Sequence, residues 1–214
     1  MRYLLERVSQ PELEPITLAE MKRHLRIFED MTDEHDDINA LITASRQWVE
    51  QYTGRALVDQ QWQLTFGDNL LFDTVSTPAM RGVMPSPSNI NGVMLRRSPV
   101  LSVVSMHSVD NAGVATLIDP STYVLEGAGT RWPRVAMVSG PMSATGTRRI
   151  VFRAGYVNMD TSPPQSLDAI PRTLVLAMKL WAASMYDRDQ WTMELIQRAA
   201  ENLARIERVD LQVA

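Results

Sequence analysis

Residues 17–58 read TLAEMKRHLRIFEDMTDEHDDINALITASRQWVEQYTGRALV, and they decide how the chain begins to fold. Thr17 and Glu20 have capping-box spacing, and Ile16 and Met21 occupy the two staple positions beside it. Leu18, Met21, Leu25 and Phe28 then form one apolar stripe at helical spacing. Lys22, Arg23 and Arg26 fall off that stripe and are expected in solvent. A second helix is expected from Thr32 or Asp33. Its first turn is crowded with Asp33, Glu34, Asp36 and Asp37, which suit the positive end of a helix dipole. Ile38, Leu41, Ile42, Ser45, Trp48, Val49 and Tyr52 follow at helical spacing. Gly54 is placed to end the helix in the left-handed conformation. The short link predicts an antiparallel pair.

Beyond this pair the period changes. Between about residues 60 and 154, Gln61–Phe66, Val93–Arg97, Leu101–Val109, Val114–Ile118, Thr122–Glu126, Arg134–Val138 and Arg148–Arg153 read as strands. Asp110-Asn111-Ala112-Gly113 is a hairpin turn between two of them. Short strands punctuated by Pro120, Pro133 and Pro141 predict a small sandwich or barrel-like module. The stretch 67–91, with Pro85-Ser86-Pro87-Ser88, predicts a long excursion from it. After a linker over Tyr156–Leu167, Pro171 opens another helix whose face carries Leu174, Met178, Trp181 and Met185. Asp187-Arg188-Asp189 breaks that pattern. A last helix over Trp191–Arg208 carries Ile196, Ala199, Ala200, Leu203 and Ile206. The class is therefore α+β, with helices at both ends of an antiparallel β module. Trp48 and Trp181 lie on matching apolar stripes and are expected to meet.

Little in the chain speaks for chemistry. It has 214 residues, no cysteine and a net charge of −4. Disulfides and thiolate metal sites are excluded, and the absence of cysteine fits a reducing compartment. No apolar run approaches the ~20 residues of a membrane span, and the first residues lack the pattern of a signal peptide. In Asp33-Glu34-His35-Asp36-Asp37 the helical turn would splay neighbouring side chains apart, so a capping turn explains the acids better than a metal site. His24, His35 and His107 have no nucleophile at a recognisable elbow, and no GxSxG is present. Gly127-Ala128-Gly129-Thr130-Arg131 lacks the phosphate-loop ending and reads as a β-turn. No catalytic residue, cofactor or metal is expected. Arg96-Arg97, Arg131, Arg134, Arg148, Arg149 and Arg153 are expected on a solvated sheet face, against the alternatives of inter-subunit ion pairs or phosphate contacts. Thr17–Leu25 also resembles the first helix of a helix-turn-helix. The acids at the start of the second helix would repel phosphates and rank that reading lower.

Taken in order, several blocks resemble the head–tail connector (adaptor) proteins of long-tailed bacteriophages and related gene-transfer particles. They are ITLAEMKRHLRI, DDINALITASRQWVEQYTGRAL, Gln61-Trp62-Gln63-Leu64, LRRSPVLSVVSMHSVDNAG, STYVLE, RIVFRAGY and IPRTLVLAMKLWAASMYDRD, spanning about residues 16–189. The resemblance implies a structural, non-enzymatic virion protein, assembled in the host bacterial cytoplasm. It implies a ring of copies of the chain, usually a dodecamer, under the portal protein and above a downstream connector or tail protein. DNA would cross the ring only in non-specific transit, and no membrane is involved. It further implies a helical bundle of Thr17–Phe28, Asp33–Thr53 and Pro171–Tyr186 split by the β module. The division is then 1–58, 59–156, 157–190 and 191–214. Leu25, Leu41, Trp48, Leu174, Met178 and Trp181 are the expected bundle core. Trp191, Ile196, Leu203 and Ile206 are the candidate portal contact, and Glu34, Asp36 and Asp37 the candidate channel wall. The competing functions are a helix-turn-helix DNA-binding protein with a β module, and a carbohydrate-binding or enzymatic β-sandwich.

Overall fold

In the computed structural model Thr17 caps the first helix, its Oγ1 accepting from the Glu20 amide at 3.2 Å. The structure describes residues 3–67, 92–139, 147–159, 166–186 and 190–209, the side chains of 190–192 excepted. The excursion expected over 67–91, Pro141 and the Asp187-Arg188-Asp189 break therefore lie outside the described residues, Gly67 apart. Helix α1 spans Leu18–Leu25 and stops earlier than the stripe predicts, because Arg26 turns left-handed at φ 59°. Phe28 is thereby thrown out of the stripe and is 77% exposed, while Ile27 packs on the core in its place. The capping box is half made. The Glu20 carboxylate turns away from its own helix end and pairs with Lys179 Nζ at 2.6 Å.

Helix α2 runs His35–Thr53 and ends as expected on Gly54, at φ 72°, whose amide donates to the Glu50 carbonyl at 3.0 Å. Helices α3 (Arg172–Tyr186) and α4 (Gln190–Ile206) complete the helical set. Ile16, Met21, Ile38, Ile42, Val49, Leu174, Met178 and Ala204 are all buried in one cluster. Both staple residues are among them. Met185, expected on the buried face of α3, is instead 40% exposed.

The strands form two antiparallel sheets. One has the order β1-β2-β8-β4-β5 and the other β3-β7-β6. These are β1 (Tyr3–Arg7), β2 (Gln60–Gly67), β3 (Gly92–Met94), β4 (Val100–Val109), β5 (Ala115–Leu117), β6 (Tyr123–Glu126), β7 (Arg134–Met137) and β8 (Thr147–Ala154). All seven expected strands are present. Strand β1 was not foreseen. It pairs with β2 from Tyr3↔Phe66 to Arg7↔Trp62. Period-two burial is clean in the two central strands: Trp62, Leu64 and Phe66 of β2 and Ile150, Phe152 and Ala154 of β8 are buried, and their neighbours are half-exposed. The Asp110–Gly113 turn forms as expected. Asp110 Oδ1 accepts from the amides of Ala112 and Val114, both at 2.9 Å, and Gly113 takes φ 84°. Gly127 and Gly129 also form a turn, closed by the Thr130 amide on the Gly127 carbonyl at 3.0 Å.

The chain divides into two compact units. Among the described residues, one comprises 3–10, 60–67, 92–139 and 147–155; the other comprises 11–59, 156–159, 166–186 and 190–209. The helical unit is thus split in sequence by the β unit. Two expected boundaries are revised. Residues 1–10 do not belong with the N-terminal helices, because β1 is a strand of the five-stranded sheet. Helix α4 is not a separate tail, because Ala200 and Ala204 are buried and Ala204 sits in the same core cluster as Met178.

Candidate assembly surfaces

The core residues expected of the bundle fall in two grades. Leu174 and Met178 are fully buried. Leu25, Leu41 and Trp48 are half-buried and pack against the core cluster. Trp181 stacks on Trp48 with ring centroids 5.8 Å apart, and Trp48 stacks in turn on Tyr52 at 5.4 Å. Apolar periodicity does not foretell the ion network beside them. Arg46 is buried on α2, donating to Glu14 at 2.8 Å and to Glu50 at 3.1 Å. Burial opposes the charge on Arg46, but the two carboxylates outweigh it and hold its pKa above the ordinary guanidinium value. Glu50 also accepts from the Leu57 amide at 3.0 Å, tying the α2 exit to the helix.

The loop between α1 and α2 is held from beneath. Lys22 is not in solvent, as its position off the stripe implied. It is 3% exposed, and its Nζ donates to the carbonyls of Glu29, at 3.2 Å, and Met31. The same Nζ lies 2.6 Å from His35 Nε2. A single amine therefore pins two loop carbonyls and the first residue of α2. Of the candidate channel-wall acids, Asp36 and Asp37 are exposed, and Glu34 accepts from the Tyr186 hydroxyl at 2.7 Å. That bond raises the Tyr186 pKa.

The candidate portal-contact residues separate. Ile206 is 62% exposed, whereas Ile196 and Leu203 are half-buried and Leu203 packs on the core. The Trp191 side chain lies outside the described residues. Leu195, one position from the predicted set, is 70% exposed. The signal for it was the second, outward stripe that it forms with Ala199 and Ile206 at i, i+4 and i+11.

Arg131 and Arg134 are exposed as expected, and the other arginines of the set are less solvated. Arg148 is buried on the inner face of β8, Arg97 lies over the Trp62 ring at 4.4 Å, and Arg96 lies over Tyr3 at 4.2 Å. Arg149 and Arg153 point from the other face of β8 and are half-exposed. Among the described residues no group of three or more His, Asp or Glu converges as a metal site, and no helix is long and apolar enough to cross a membrane.

The described chain is thus a helical unit interrupted in sequence by an antiparallel β unit. Residues 15–81 match the family model described as phage gp6-like head-tail connector protein, which supports the resemblance carried by the sequence blocks. The fold as a whole is similar to three solved chains. One, from the neck of an empty GTA particle computed with C6 symmetry, is 23% identical with a TM-score of 0.62, covering 92% of this chain and 94% of that one. A second, from the virion of the native gene transfer agent (GTA) particle, is 23% identical with a TM-score of 0.63 over 91% and 94%. The third, from the neck of the native GTA particle computed with C12 symmetry, is 22% identical with a TM-score of 0.59 over 92% and 94%. No curated protein matches.

Proposed function

We propose that this chain is a virion protein that forms a ring adaptor between portal and tail and extends the DNA channel. The observation that carries the reading is the connector-family match over residues 15–81, joined to a fold shared over nine-tenths of the chain with proteins of particle necks. The ring is taken to be a dodecamer, with the portal on one side and a downstream connector or tail protein on the other. Its place is the head–tail interface of the virion, reached by assembly in the host bacterial cytoplasm. The exposed apolar stripe of α4 supports a contact with the portal. Within that stripe the described residues favour Leu195 and Ile206 over Leu203, which packs on the core of its own chain. DNA passes without sequence recognition, in keeping with a net charge of −4.

Electron microscopy of the protein together with its portal tests this directly. The expected result is one closed ring of this chain stacked on the portal, twelve copies per ring. A protein that never appears on portal complexes, and that instead retards DNA in a salt-dependent way, would transfer the reading to the DNA-binding alternative.

A further inference from the structure

We propose that the α1–α2 knob of one copy, residues 26–37, docks on the outer face of the five-stranded sheet of a second copy. This rests on the ring reading for its setting but names a contact that the reading does not supply. The two surfaces are complementary in charge. The knob carries Glu29, Asp30, Asp33, Glu34, Asp36 and Asp37 within nine residues. The outer sheet face carries Arg149 and Arg153 of β8, with His107 of β4 and Thr65 of β2 directly opposite Arg149. Arg149 Nε and His107 Nδ1 have no hydrogen-bond partner among the described residues. Glu6 is the one acid at its β1 edge, and Gln63 Nε2 donates to it at 3.3 Å.

They are also complementary in apolar content. Phe28 and Met31 stand exposed on the knob, and Leu4, Val104 and Leu117 stand exposed on the sheet unit. An aromatic ring ringed by acids is suited to anchor a contact whose rim is ionic. The knob is moreover prepared for binding. Lys22, buried beneath it, fixes the Glu29 and Met31 carbonyls and His35, so its shape is set before a partner arrives and less order is lost on docking. Knob and sheet face are different surfaces. Their contact is therefore heterologous and repeats from copy to copy around a ring. It assigns Asp36 and Asp37 to a neighbour rather than to the channel.

The chain has no cysteine, so introduced thiols report only on themselves. Full-length Asp37→Cys and Thr65→Cys variants are mixed in equal amounts under mild oxidation, and the disulfide-linked species are counted by mass. Docking gives the mixed dimer in excess of the statistical mixture. Phe28→Ser in the Asp37→Cys chain, a change at an exposed position, weakens association at least about tenfold and removes the excess. Arg149→Glu with Arg153→Glu in the Thr65→Cys chain also removes it, and Asp33→Lys with Asp36→Lys in the other chain restores it. Arg149→Gln is the milder variant if the double reversal lowers the melting temperature. A statistical mixture, or an excess that survives Phe28→Ser and the charge reversals, overturns the proposal. So does duplex DNA retardation lost in Arg149→Gln without any mixed-dimer excess, which assigns the face to nucleic acid. Rings on the portal without mixed-dimer excess sink the docking and leave the ring. Excess without portal attachment does the reverse.

Discussion

Arg46 shows what a single residue contributes that hydrophobic patterning does not convey. It occupies a helix position among apolar neighbours, yet it is buried because two carboxylates, Glu14 and Glu50, meet it there. Replacing it with methionine leaves both acids without their cation, and Glu50 is itself buried. Arg46→Met is expected to cost about 3–5 kcal/mol, read from urea unfolding. A loss under ~1 kcal/mol would show that solvent reaches the pair. His24 is the residue for a pH test. Burial, and then the nearby Lys179, hold its pKa below the ordinary histidine value of about 6.5. The native state thus binds the His24 proton less readily than the unfolded chain. Its contribution to stability is present above about pH 6.5 and is lost as the pH falls through the lowered native value. His24→Gln is expected to flatten that acid limb in urea midpoints taken from pH 7.5 down to about 5. A limb of unchanged slope assigns the effect to other groups. Lys22 marks where sequence reading stopped at this scale. Its place off the apolar stripe is correct, but the carbonyls that draw its amine under the loop are backbone groups, and no side-chain pattern encodes them.

At the scale of elements, capping and period carried most of the information. Thr17, Gly54, the Asp110–Gly113 turn and the alternation in β2 and β8 are local signals, and each formed where the local chemistry placed it. Elements that depend on distant partners did not announce themselves. YLLER has no alternation of its own and becomes β1 only because the β2 edge is open to it. Phe28 keeps helical spacing but leaves the helix because Arg26 ends it, and nothing in the stripe marks that stop. The helix contact inferred from matching stripes does form. Trp48 of α2 stacks on Trp181 of α3 at an interplanar angle of 19°. Trp48 is half-buried rather than enclosed, so Trp48→Ala belongs at the lower end for a large aromatic, about 3 kcal/mol. A double-mutant cycle with Trp181→Ala should return a coupling of ~0.5–1.5 kcal/mol. Simple additivity would mean that the rings are neighbours without being partners.

For the molecule as a whole, the division between helical and β units was legible, because a change of period from 3.6 to two marks it in the sequence. The role of the last helix was less so. Amphipathicity shows that α4 has an apolar side but not whether that side meets its own chain or another. The structure answers for part of it. Ala200 and Ala204 are buried, small residues where α4 packs within the helical unit, while Leu195 and Ile206 face solvent. Deleting residues 191–214 would therefore strip a helix from that unit, and lost portal attachment would then report damage rather than a missing contact. The deletion is expected to lower the helical unit's melting transition while the β unit keeps its own, seen as two separated transitions in calorimetry. The cleaner probe is Leu195→Asp with Ile206→Asp. Both side chains are exposed, so the fold should change by no more than ~0.5 kcal/mol each. If α4 is the portal contact, charges in its apolar stripe abolish copurification with the portal while the melting temperature stays in place. Copurification at the wild-type level in the double variant would remove α4 from the portal face and leave the knob and the sheet as the surfaces to test next.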